Sequence, residues 1–505
     1  MKTSDIINRL FGKELQYSHK DLKELIEGKN SHLYYAFCGM NTYNERETEL
    51  FGKACTRIVG GFGGRELADR LAFFRAGCYL FNNVSKNDIV RTKKICGGYY
   101  PNILAVGMCS SDGYIRMYSA ELIADYPQHL PLMAYTFNDW VPNVRRAAEN
   151  SFMTAVNNAD TVSAALAYAE LYDLQKAGRR SCNALADAEN ILRRRLTEEF
   201  KPDHADRLAQ KYNSERAFHA LISDKVISRE CAKHIIELQN YPISLELMYI
   251  RNYDIPFEEL IEYTNSRKNS LHSAAAQKLI DTYGLWDGAE TLLADRVHSV
   301  RELMQYYFRK RRPEFDMEEY YKSKLPNPAA IMGLGEIHST DTEDTALKYN
   351  DSENARTAAA AVYALCSYSD DKYSEFFFKM LPDSRLKAAK AAFRALMITN
   401  AYIPQKTLYE NILENRDNSR LCIRYASLLC RPSQGIWEAM PYLIRLYSFP
   451  EEKVQALVRR AIEKRGQYFT GGDALRNEIR LSLSESENFF SYSIQRDILF
   501  QIERT

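Results

Sequence analysis

Histidine is scarce in this chain: there are nine, and no two lie three or four residues apart, so no single helix turn can offer two imidazoles to a metal. Cysteine is scattered over ten positions with no Cys-x-x-Cys pair, which excludes a zinc ribbon or a dithiol of that spacing. The ordinary expectation is buried thiols in a reducing compartment. Tryptophan is limited to Trp140, Trp286 and Trp437, each in a different segment. Long apolar runs are missing too, since no stretch approaches the roughly 18 residues that a bilayer span needs. The start, MKTSDIINRLFGKEL, places charges where a signal peptide needs an apolar centre. Net charge is nearly absent, with 67 Lys and Arg against 66 Asp and Glu. Nucleic-acid binding would therefore require charge segregated between faces. No serine, cysteine or lysine stands in a nucleophile motif. The expectation is a soluble cytoplasmic protein with no membrane partner, metal, cofactor or catalytic residue.

The chain does have a recurring helix start. Ile115-Arg116, Val144-Arg145, Val300-Arg301 and Ala355-Arg356 are each followed by small or apolar residues at helical spacing. The intervals 145 − 116, 301 − 272 and 385 − 356 are all 29, joining Arg116 to Arg145, His272 to Arg301 and Arg356 to Arg385. Further on, 419 − 384 and 454 − 419 are both 35, the same unit with a longer turn. A helix-pair period of about 30 to 47 residues reads as a solenoid, in which each pair buries its apolar faces against its neighbours. With 46% hydrophobic and 26% charged residues, the composition is that of a soluble, folded protein, and over 505 positions the repeats favour one array.

Two segments show the unit best. From Leu130 to Val156, one apolar face of Leu130, Leu132, Met133 and Phe137 precedes a turn ending at Pro142; a second face follows with Val144, Ala147, Ala148, Phe152 and Ala155. From Ala329 to Leu365, Ile331 to Ile337 reads as a helix, with Gly333 and Gly335 allowing close packing. Asp351 to Asn354 is the turn, and the next helix begins at Ala355-Arg356. This unit resembles the HEAT-type repeat, in particular its short phycobilisome-lyase variant, through Leu-Gly-Glu-Ile and Asp-x-x-x-x-Arg-x-x-Ala-Ala. The resemblance covers about residues 105–156 and 265–465. The fold implied is all-α, an α-solenoid superhelix of antiparallel helix pairs. Residues 1–102 form an irregular helical region, 103–200 HEAT-like repeats, 201–328 divergent helical repeats, 329–465 HEAT-like repeats and 466–505 a C-terminal helical cap.

In HEAT-like arrays an arginine at the recurring position usually reaches a turn aspartate or carbonyl of its own or the adjacent unit. That makes Arg116, Arg145, Arg301, Arg356 and Arg385 a structural ladder, with Asp112, Asp139, Asp295, Asp351 and Asp383 upstream of them. The same resemblance places the second helices along the concave side, so partner-binding candidates lie on their exposed faces. These are Arg146, then Gln305, Tyr306 and Arg309 on the helix from Val300, then Lys387, Lys390 and Arg394 on the helix from Arg385. Tyrosine and arginine are enriched in protein interfaces, while basic stripes with aromatics also suit nucleic acid. The leading expectation is a non-catalytic scaffold binding a protein partner, and the alternative is a nucleic-acid-binding HEAT-like protein.

Three enzymatic readings compete with this one. Deoxyhypusine hydroxylases, built from similar repeats, hold di-iron with His-Glu dipeptides; none occurs here, and Glu336 and His338 have the wrong order. Alkylpurine DNA glycosylases use a carboxylate and tryptophans in a basic groove, for which Asp139-Trp140 would be the pair to try; Asp139 occupies an ordinary turn position. Finally, Gly60-Gly61-Phe62-Gly63-Gly64 has neither a preceding strand nor a following Gly-Lys-Ser, so it reads as an interhelical turn rather than a phosphate loop.

Overall fold

The structure, a computed structural model, describes residues 20–60, 64–71, 84–177, 183–212, 214–238, 241–367, 371–399, 401–431, 435–466, 468–469, 471–486 and 491–503. Among the described residues every regular element is helical, mostly α with short 3₁₀ turns, and there is no strand. None of these helices is long and apolar enough to cross a membrane. The chain divides into two compact units, one up to Lys278 and one from Leu279. The division falls inside the 201–328 stretch.

Local sequence sets the helix boundaries. Asn44 and Glu47 close a reciprocal capping box at the start of Glu45–Val59, and Ser85 with Asp88 does the same for Lys86–Cys96. The Asp112, Asp160, Asn354 and Asn418 side chains accept from first-turn amides of their helices. These caps satisfy backbone donors that the helix itself leaves unpaired.

In the first unit, Gly113–Leu122 packs on Pro142–Ala155, and Leu130–Thr136 packs on Thr161–Lys176, so alternate helices stack on each other. Val144, Ala148 and Phe152 are fully buried, and the Phe137 and Phe152 rings meet edge to face at 5.3 Å. Burying a side chain such as Phe152 contributes about 1.5–3 kcal/mol.

The second unit corrects the parsing of 329–365. A further helix, Thr342–Asn350, lies between Pro328–Glu336 and Ala355–Cys366, so the stretch holds three helices rather than two. Its buried residues are only Thr342, Ala346 and Asn350, so it has no apolar stripe for periodicity to reveal. Pro328–Glu336 packs on Ala355–Cys366, which packs on Leu386–Thr399. A Cβ at Gly335 would fall 2.9 Å from the Ala364 Cα, which is why these two helices can approach so closely.

Candidate partner-binding surface

Four of the five recurring arginines bind their turns. Arg116, 3% exposed, donates from Nε and Nη2 to the Asp139 carboxylate at 2.8 and 3.1 Å, and from Nη1 to the Ser110 and Ser111 carbonyls at 2.9 Å each. Arg145 Nη1 donates to the Asp139 carbonyl at 2.7 Å. Arg301, 1% exposed, reaches the Asp295 carbonyl at 2.7 Å and grips Glu336 through Nε and Nη2. Arg385 pairs with Asp383 and donates to the Asn350 and Ser352 carbonyls, 35 and 33 residues back. That pairing, chiefly the side-chain hydrogen bonds, holds the Asp383 carboxyl below the usual carboxylate range.

Arg356 departs from the ladder. Its side chain is exposed, and its hydrogen bond runs from the backbone amide to Asn354 Oδ1. The Asn350 and Ser352 carbonyls, just ahead of it in the chain, accept from Arg385 instead. Of the turn aspartates, Asp139 and Asp383 meet arginine through their carboxylates, whereas Asp112 caps its own helix.

Gln305, expected on an exposed face, is buried instead. Its amide donates to Tyr321 Oη and Glu336 Oε2, both at 3.0 Å, and Tyr321 donates to the Leu293 carbonyl. Residues 301 and 305 share one helix face, so the face that buries Arg301 carries Gln305 with it. His298 Nδ1 also lies 2.8 Å from Glu336.

The remaining candidates are exposed. In the first unit, Arg146 lines a shallow depression of about 370 Å³ with Met117, Glu121, Asn143 and Asn150. In the second unit Tyr306 and Arg309 face outward, with Lys310 Nζ above the Tyr306 ring. Lys387, Lys390 and Arg394 are exposed along Leu386–Thr399. Arg394 Nη1 donates to Tyr363 Oη at 3.2 Å, tying this face to Ala355–Cys366.

Sequence reasoning missed how far this basic face extends. Ala355–Cys366, Leu386–Thr399 and Ser419–Leu429 together carry six basic residues, Arg356, Lys387, Lys390, Arg394, Arg420 and Arg424, and no Asp or Glu. All but the half-buried Arg424 are exposed. Burial lowers the Arg424 pKa, and the like charge of Arg420 lowers it further. Arg424 donates to the Leu381 carbonyl and Arg431 to that of Leu396, so Ser419–Leu429 runs alongside Leu386–Thr399. The carboxylates stand on the alternating helices, paired there with lysine: Glu343 with Lys372, Glu375 with Lys379 and Glu410 with Lys406. Counting charge helix by helix, rather than over the chain, would have found this.

Other marked features are absorbed by the fold. Arg193 binds Asp224 and Glu189, and Arg195 binds the Val156 and Ala159 carbonyls with Glu199; Arg179-Arg180 lie outside the described residues. Of the glycine-rich turn, residues 61–63 lie outside the described residues, but Gly64 opens helix Gly64–Arg70 at φ +54°. There the Arg65 amide donates to Glu170 Oε1 at 2.8 Å, and a Cβ on Gly64 would overlap that carboxylate. Burial pushes the Glu170 carboxyl up, while Arg216 draws it back.

Catalytic chemistry finds no free group at Asp139-Trp140, because Arg116 and the Val141 amide hold both carboxylate oxygens. Trp140 itself is 76% exposed, above the Arg116 guanidinium. Among the described residues no group of three or more His, Cys, Asp or Glu is disposed to hold a metal. Burial pushes the Cys96 thiol up to about 11 and raises Cys55 as well, which leaves both unreactive at neutral pH. Cys78 and Cys182 lie outside the described residues. No protein-family profile matches the chain, and comparison with curated proteins finds no match.

Proposed function

We propose that this protein is a non-catalytic scaffold, an α-solenoid of HEAT-like helix pairs, that binds a protein partner along the exposed face of its second helices. The observation that carries the reading is a division of labour among arginines and lysines. One set, Arg116, Arg145, Arg301 and Arg385, is consumed in fastening turns. Another set, Lys387, Lys390 and Arg394 with Arg356 and Arg420, stands exposed on successive second helices with no carboxylate on those helices. Like charges gathered on the same helices raise self-repulsion, and a partner of opposite sign relieves it.

The same basic face is the observation favouring the second reading, binding of nucleic acid. What weighs toward protein is the company the charges keep. Leu386, Met397 and Ile398 are exposed on the same helix, and Ile398 is 68% exposed. Single-stranded nucleic acid is held by basic side chains on its phosphates together with aromatic rings stacked on its bases, and exposed aliphatic side chains supply no such stacking.

A photo-crosslinking amino acid placed at Lys390, with a control at Glu410 on a neighbouring helix, tests the reading in cells producing the protein. Protein adducts at position 390 and few at 410 are expected. Adducts to nucleic acid alone, or equal yields at both positions, would overturn it.

A further inference from the structure

We infer that the face of Leu386–Thr399 receives an acidic protein segment that lies along the helix, its carboxylates over Lys387, Lys390 and Arg394 and an apolar side chain against Met397 and Ile398. This rests on the scaffold reading and specifies the chemistry of its partner.

The exposed positions of this helix fall in one stripe. Lys387, Lys390, Arg394 and Met397 succeed each other at intervals of three or four residues, which in an α-helix keeps them on a single face. At about 1.5 Å per residue, Lys390 and Arg394 stand about 6 Å apart along the axis and Lys387 about 10 Å from Arg394. An extended chain repeats its same-side residues every 6 to 7 Å or so. Two carboxylates at alternate positions therefore match Lys390 and Arg394, and the next same-side residue falls at the Met397 end. A helical segment with carboxylates four residues apart meets the same spacing.

Charge and polarity then define the occupant. No Asp or Glu stands on this helix or on Ala355–Cys366 and Ser419–Leu429, so these three helices oppose an incoming carboxylate with no negative charge of their own. Arg394 is steadied by Tyr363, which limits the rotamer freedom lost when a carboxylate binds. Both ends of the stripe are aliphatic, with Leu386 at the start and Met397 and Ile398 at the end. Against these three, one exposed aromatic ring, Tyr402, stands nearby, and its hydroxyl is engaged with Gln405. A chain alternating carboxylates and closing on an aliphatic residue complements this pattern better than a row of phosphates and bases.

The test uses the full chain and three fluorescent probes: a peptide with glutamate at alternate positions and leucine at one end, the same peptide with glutamine for glutamate, and an oligothymidylate. The glutamate peptide is expected to bind, more weakly as salt rises. The variant Lys387→Glu/Lys390→Glu is expected to lose about tenfold or more in affinity with its melting temperature unchanged, both residues being exposed. Ile398→Ser is expected to weaken binding to the same extent at low and high salt. Equal binding of the glutamine peptide would overturn acid recognition and leave the scaffold reading standing. Binding of the oligothymidylate alone would overturn both. Binding of no probe would overturn this inference, while protein adducts at position 390 would still uphold the scaffold.

Discussion

Arg116 and Asp139, 23 residues apart, form a two-pronged ion pair whose side chains are 4% and 7% exposed. The turn carbonyls of Ser110 and Ser111 complete the guanidinium's bonding. Removing one partner of such a pair strands a buried charge, which costs about 3–5 kcal/mol. Asp139→Ala is therefore expected to destabilise by that order, read from urea unfolding monitored by the loss of helical circular dichroism. Arg356→Ala, at the equivalent recurring position, is expected to shift stability by no more than about 0.5 kcal/mol because its side chain is exposed. Equal losses in the two variants would contradict the division between fastening and exposed arginines.

Gln305 and Tyr306 are chain neighbours with opposite fates. Gln305→Ala leaves Glu336 and the Tyr321 hydroxyl each short of a buried donor, so a loss of about 1–3 kcal/mol is expected. Tyr306→Ala is expected to leave the unfolding midpoint within about 0.5 kcal/mol of the parent. Thermal unfolding of the two variants side by side checks this, and a reversed order would count against the buried assignment of Gln305.

His129 makes stability fall in mild acid. Burial pushes its pKa from 6.5 down to about 4, so the folded protein keeps it neutral where the unfolded chain already binds a proton. Its contribution is complete above about 6.5 and is lost as pH falls toward 4, at up to about 1.4 kcal/mol per pH unit. The urea midpoint of the parent is expected to drop relative to that of His129→Leu between pH 7 and 4, and to drop no further below it. Parallel profiles across that range would exclude the effect.

Gly64 combines a left-handed backbone with a carboxylate where a Cβ would stand. Gly64→Ala is expected to displace Glu170 from the Arg65 amide and to destabilise the first unit by more than about 1 kcal/mol. Hydrogen exchange at the Arg65 amide provides the readout: unchanged protection would mean that the carboxylate does not hold it.

The all-helical fold was legible because 29-residue intervals and apolar faces such as Val144, Ala148 and Phe152 repeat. The Thr342–Asn350 helix was not, since small and polar residues bury its inner side. Arginine positions were readable, but their partners were not. Whether a turn carbonyl is claimed by Arg356 or by Arg385 depends on how helices distant in sequence pack, and no local pattern encodes that packing. Gln305 was misplaced by treating amphipathicity as apolar against polar. Its spacing from Arg301 held the clue, because a buried ion needs polar neighbours on its own face. The basic face was hidden by a balanced total, 67 against 66, that conceals alternation between helices.

The Glu170 carboxylate that accepts from the Arg65 amide means that the start of Gly64–Arg70 already has an anion. A group tethered within the fold competes at an effective concentration of about millimolar or more. A free phosphate would have to evict that resident and also break the Arg216 contacts that steady it. This helix start is thus filled from within the chain, and Gly64, lacking a Cβ, leaves the room that the Glu170 carboxylate takes.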